Sequence, residues 1–201
     1  MDRDGIALAT TIVHLASAFG FVTNAVAVLT ITKLVDLHTS FGRLCAFLAA
    51  NNSALLLVNS AWYSLPDWQM FNTGSRSSRV VGMISLTLWI VGIRYHLLIS
   101  MNRLVAIAFP FKWKKFVNVR RTSMAVWVVV LATVVQCSPL LLVNDVWFRF
   151  DRSSMQWTFS QSSAGKFFED YNVNLSNTIE LASLLIIDIC TLMHLRLYHS
   201  K

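Results

Sequence analysis

Apolar residues in this chain come in long blocks separated by short polar joins. The blocks run at about 6–32, 44–62, 80–109, 124–143 and 175–197. A helix that crosses a lipid bilayer needs roughly 20 mostly apolar residues, and each block supplies close to that. The pattern predicts an all-α membrane protein, one domain over residues 1–201, with five transmembrane helices. The third block is long enough to span with tilt. The first is too long for a signal-peptide core, and its front edge, Met1-Asp2-Arg3-Asp4, has no net positive charge. Between the blocks lie a short join at 33–40 and a polar one at 63–78 with Pro66, Trp68 and Gly74. A basic join follows at 110–121, and a longer Ser- and aromatic-rich stretch at 144–174 reads as loop. No tandem or inverted repeat is visible, which weakens a transporter or channel-subunit reading.

Composition sharpens this picture. Of 201 residues 55% are hydrophobic and 13% charged, against about 25% charged in an ordinary soluble domain. Mean hydropathy is +0.56. The net charge of +7 does not point to nucleic acid, because the basic residues concentrate in the 110–121 join. Basic joins are retained on the cytoplasmic side during insertion. With the N-terminus outside, the inner side holds ten basic residues: Lys33, Arg43, Arg103, Lys112, Lys114, Lys115, Arg120, Arg121, Arg196 and Lys201. The outer side holds six: Arg3, Arg76, Arg79, Arg149, Arg152 and Lys166. The expectation is an extracellular N-terminus, a cytoplasmic C-terminus and residence in the plasma membrane. Cys45, Cys137 and Cys190 all fall inside apolar blocks and form no CxxC pair, so they read as packing residues. No HxxxH, HExxH, GxSxG, P-loop or GxGxxG spacing occurs, so neither an enzyme nor a metal or cofactor site is indicated.

The third block ends on an order of residues that a soluble helix would not need: "ISMNRLVAIAFPFKWKK", residues 99–115. Its run Asn102-Arg103-Leu104-Val105-Ala106-Ile107, followed by Pro110, resembles the Asp-Arg-Tyr-x-x-Ile-x-x-Pro stretch of rhodopsin-like G-protein-coupled receptors. Gly20 through Asn24 resembles the first-helix Gly-Asn element, and Leu48-Ala49-Ala50-Asn51 the second-helix Leu-Ala-x-Ala-Asp element. Trp68 suits the first outer loop and Pro139 the fourth helix. The closer resemblance is to the nematode serpentine chemoreceptors of class X, carried by "SFGRLCAFLAANN", "YHLLISMNRLVAIAFPFKW" and "IIDICTLMHLRL". It implies an environmental small molecule bound among the outer halves of the helices. It also implies a heterotrimeric G protein met by Arg103, Asn102, Ile107, Pro110, Lys112, Lys114 and Lys115. The sequence departs from the family in three ways. Asn102 and Leu104 replace the acidic residue and the tyrosine. Ser78 stands where the family's helix-three cysteine is expected, and 144–174 has no cysteine. The last two helices of the family pattern are absent, so the expectation is a fragment or truncated receptor, silent alone. The alternative is a non-signalling membrane protein that pairs with full-length receptors, with oligomers of receptor chains as its setting.

Within the spans, polar residues invite partners. Asn24, Asn51, Asn52, Arg94 and Asp188 are read as an intramembrane polar network. Gly20 permits close helix approach and Asn24 an interhelical hydrogen bond. Arg94 lies nine residues before Arg103, about 13–14 Å up the helix and on its opposite face. A charge there is costly unless paired, and Asp188 is the expected partner. Trp89 and Glu180 are candidate ligand-facing residues, and His96 a candidate interhelical hydrogen-bonding residue. Asn174-Leu175-Ser176 is a glycosylation sequon on the expected outer side.

Overall fold

The computed structural model describes residues 3–64, 76–109, 118–151 and 156–199. Five helices are long and apolar enough to cross a membrane, as the block pattern predicts. They are α1 (Arg3–Lys33), α2 (Ser40–Ser64), α3 (Arg76–Ala108), α4 (Val119–Cys137) and a last span that ends in α7 (Ser176–His199). Asn118 starts α4, its side-chain oxygen accepting from the Arg121 N–H at 2.8 Å and so occupying a donor left free at a helix start. Pro139 has no N–H to continue the ladder, so α4 stops at Cys137 and a single turn, α5 (Pro139–Leu142), follows.

The helices do not share burial equally. Of the apolar window in α3, 44% is buried, against 6% in α1 and in the last span. α3 is therefore the central helix, and the others present apolar side chains outward. Phe19, Val22 and Leu29 on α1, Val128 and Leu131 on α4, and Ile186 and Leu192 on α7 are all more than half exposed. Apolar exposure of that kind suits hydrocarbon rather than water. Small residues let the backbones close up around α3: Gly82, Ser85, Gly92 and Ser100 are buried on it. A Cβ at Gly92 would sit 3.3 Å from Nδ2 of Asn51 on α2. Two apolar clusters fill the bundle. One joins Leu86, Ile90, Cys137, Leu140, Phe168 and Val173. The other joins Leu44, Val91, Tyr95, Ile99 and Val126 nearer the Arg103 end.

Within the stretch read as loop, the described residues form a hairpin and a helix start. Residues Phe148–Asp151 form β1 and Gln156–Phe159 form β2, an antiparallel pair with Phe148 opposite Phe159 and Phe150 opposite Trp157. The physical cause is alternation: Phe-Arg-Phe-Asp and Gln-Trp-Thr-Phe each put aromatic residues on one face. The rings meet, Phe148 with Phe159 at 4.5 Å and Phe148 with Trp157 at 5.2 Å between centroids. Trp157 also stacks on Trp62 of α2 at 6.5 Å. Ser160 closes the base of the hairpin, donating to the Asp145 carbonyl at 2.7 Å while its own N–H donates to the Trp147 carbonyl at 3.0 Å.

The last span begins earlier than the apolar pattern suggests. α6 (Ser163–Phe167) runs into a π-helical segment, Phe168–Leu175, and then into α7. Glu169, Asp170 and Asn172 hide this start from a hydropathy reading.

Candidate functional site

At the hairpin end, a half-open cavity of about 340 Å³ lies between α2, α3, the hairpin and the π-helical segment. Trp89, Phe148, Trp157 and Phe159 supply aromatic walls, and Asn59 and Ser85 supply polar groups. Oδ1 of Asn59 and Oγ of Ser85 are buried and have no hydrogen-bond partner. A buried polar atom without a partner costs about 1–3 kcal/mol, so both residues bring an unmet hydrogen-bonding demand to the cavity wall. Among the described residues the lining carries no ionisable side chain. Apolar walls with a few convergent polar atoms are the usual make-up of a small-molecule site. Trp89, singled out from the sequence, lines the cavity and is 47% exposed. Val173 and Asn174 line it too. Asn174 is exposed, and its carbonyl accepts from the Thr178 hydroxyl at 2.8 Å.

Next to Val173, Asn172 leads to a second feature. Its side-chain amide donates to the Gln136 carbonyl at 3.2 Å, and the Gln136 amide donates back to the Asn172 carbonyl at 2.6 Å. The Gln136 side-chain oxygen in turn accepts from Arg94. Arg94 also donates to the Thr133 hydroxyl at 2.7 Å and to Glu180 Oε1 at 2.8 Å. A planar guanidinium with five fixed donors suits such a junction, and here it joins α3, α4 and the last span. The expected partner Asp188 is thus corrected to Glu180, which is engaged by Arg94 through Oε1. Asp188 lies eight residues further along α7, about 12 Å too far down the helix. Counting the span from residue 175 put Glu180 near its mouth. Counted from Ser163, Glu180 lies about 25 Å along the helix, level with Arg94. The second oxygen of Glu180 is buried and has no partner.

The third feature holds the hairpin on α3. Arg79 donates to the carbonyls of Leu140 and Val146 at 3.1 Å each, and to that of Val143. Three carbonyls around the short α5 turn therefore converge on one side chain. A turn further on, Gly82 lies so close to the strand that a Cβ there would collide with the Phe148 carbonyl. Neither residue stands out in the sequence, because an arginine at a span end normally reads as a charge reaching for water. All three cysteines are free; the connection is polar and steric.

Other polar residues divide between near neighbours. Asn51 donates to the Leu88 carbonyl at 2.9 Å and so ties α2 to α3. Asn52 faces the same contact, its oxygen 3.9 Å from where a Gly92 Cβ would stand. Asn24 does not reach across. Its amide donates to Gly20 on its own helix at 2.7 Å, because four residues are one helical turn. Gly20 does permit close approach: a Cβ there would come within 2.7 Å of Leu56 on α2. His14 and Ser60 make a hydrogen bond of 3.0 Å between the same helices. His96 is exposed rather than buried between helices.

At the opposite end Asn102 is buried and Arg103 exposed, its guanidinium 5.3 Å from the ring centre of Phe41 on α2. The aromatic face stabilises a cation there by about 0.5–1 kcal/mol. Ile107 is half-buried near the end of α3. Pro110, Lys112, Lys114 and Lys115 lie outside the described residues. Trp89, His96 and Arg103 recur at heptad spacing and are all exposed, along one open face of α3.

The comparisons agree with this geometry. The fold is similar to the crystal structure of squid rhodopsin, with a TM-score of 0.83 at 16% sequence identity, over 99% of this chain. The chain spans 55% of that rhodopsin's length. A search of curated protein sequences gives no match. The model of a chemoreceptor family, described as serpentine type, seven-transmembrane and G-protein-coupled, matches residues 14–201. With five apolar spans, the rhodopsin fold and a match over nearly its whole length, the chain belongs to the Srx family of serpentine chemoreceptors, G-protein-coupled receptors of the membrane.

Proposed function

We propose that this chain carries the ligand-binding half of a chemosensory receptor of the plasma membrane, with its N-terminus and hairpin outside. The cavity between α2, α3 and the hairpin receives the stimulus, and the Arg103 end of α3 meets a G protein inside. The observation that carries this reading is the aromatic cavity with its two unbonded polar atoms, Asn59 Oδ1 and Ser85 Oγ. Its walls fit a neutral ring-bearing molecule that donates a hydrogen bond to Asn59. A charged guest would enter unpaired, and that is costly. Val173 and Asn174 adjoin Asn172, so a guest in the cavity presses on the segment that reaches Arg94 through Gln136. Energy passes only if the guest favours one arrangement of that junction over another.

The test uses the chain in lipid nanodiscs, with indole as neutral probe and tryptamine and indole-3-acetate as charged counterparts. Indole is expected to bind most tightly, and Trp89→Ala to weaken it at least tenfold. Equal binding by Trp89→Ala removes the cavity from the proposal. Nucleotide exchange on a G protein with Arg103→Ala as control tests the inner end. A second reading, a non-signalling partner for full-length receptors, is favoured by the open face of α3 at Trp89, His96 and Arg103. Exchange that is absent with this chain alone, together with its capture by a full-length receptor in the same bilayer, would favour that reading.

A further inference from the structure

A second concavity lies on the lipid-facing side of the bundle, toward the Arg103 end and far from the aromatic cavity. It measures about 620 Å³ and is bounded by α1, the turn Val35–Leu37, α2 and α4. Its lining is graded. Val28, Ile31, Phe47 and Trp127 make an apolar trough. Thr32, His38, Arg43 and Ser123 gather at the other end, where α1 runs out at Lys33. Arg43 is held in place there, donating to the Ser123 hydroxyl at 3.0 Å, while Ser123 donates to the Val119 carbonyl at 3.0 Å. One bond uses one of the five donors of a guanidinium, so Arg43 keeps a fork for a further acceptor. The His38 ring is fixed by a 3.0 Å bond to the Thr32 carbonyl.

We propose that this groove is a binding site for a single anionic phospholipid, its phosphate on Arg43 and an acyl chain along Phe47 and Trp127. The grading of the wall, from cation through hydroxyls to apolar side chains, repeats the polarity of such a lipid from headgroup to tail. Guanidinium and phosphate match in shape as well as charge. A zwitterionic headgroup would bring a second cation beside Arg43, and a sterol has no phosphate to use the free donors. Basic pockets between transmembrane helices at a membrane face are suited to acidic headgroups.

The test uses the whole chain in nanodiscs, with Trp127 as reporter and tail-brominated lipids as quenchers. The Trp127 signal is taken as the difference from Trp127→Phe. Brominated phosphatidylglycerol is expected to quench it several-fold more effectively than brominated phosphatidylcholine. Arg43→Gln should make the two lipids equal. Ala46→Phe, which fills the trough and leaves every charge in place, should remove the difference between the two lipids and leave only the quenching of exposed Trp127 by bulk lipid. Thermal unfolding of each variant confirms that it is folded. Equal quenching in the unsubstituted chain, or an undiminished preference in folded Arg43→Gln, overturns the proposal. So does relief of quenching by cholesterol, which marks a sterol groove, or by soluble glycerophosphate, which marks a phosphate site without a tail.

Discussion

Arg94 shows how one residue can be well chosen and its partner mistaken. An arginine deep in a span has to be paired, because an uncompensated charge in hydrocarbon costs roughly 2.5–3.5 kcal/mol on insertion scales. That much was legible. The partner depends on where the facing helix starts, and polar residues at 169–172 concealed that start. Arg94→Met should leave the Glu180 carboxylate buried and unpaired, lowering stability by about 3–5 kcal/mol. The double substitution Arg94→Met with Glu180→Leu should recover most of the loss, since an apolar pair of similar volume is often neutral. Thermal unfolding in nanodiscs measures both, and a double variant no more stable than the single one would show that the pair contributes little. Substituting Asp188 by Asn should leave the Arg94 junction intact, with little change in the same melting curve.

The spans were legible at the scale of elements because membrane helices satisfy their backbone internally and need only a run of apolar residues. The hairpin was missed although its signal was present. Phe148-Arg149-Phe150 and Trp157-Thr158-Phe159 alternate with the period of a strand. The serines between and after them, Ser153, Ser154, Ser160, Ser162 and Ser163, make the stretch read as loop instead. The π-helical segment Phe168–Leu175 has no simple signature in the sequence. Gly82 fixes the distance between α3 and β1. Gly82→Val should push the strand away and open the cavity while leaving the five spans in place. Faster amide exchange at 148–159, with unchanged helical circular dichroism, is the expected result. Arg79→Lys should loosen the same stretch, because an ammonium cannot present fixed donors to three carbonyls at once.

For the whole molecule, hydrophobic blocks were enough to place the chain in a membrane and α3 at its centre was not among the things they revealed. Centrality follows from packing: Gly82, Gly92 and the serines on α3 are unremarkable one by one and admit neighbours only together. The proposed orientation puts the basic 110–121 join inside the cell. A cysteine introduced at Lys114 should react with impermeant maleimide only after the membrane is opened, and labelling of intact cells would reverse the assignment. Arg79, at the hairpin end of α3, bears on redox as well. The hairpin hangs on a guanidinium and a glycine, and the three cysteines of this chain are free. Such a hairpin is expected to keep its place in dithiothreitol, read as unchanged amide exchange at 148–159. The aromatic cavity should therefore survive thiols at concentrations that would unfasten a cystine-tied loop.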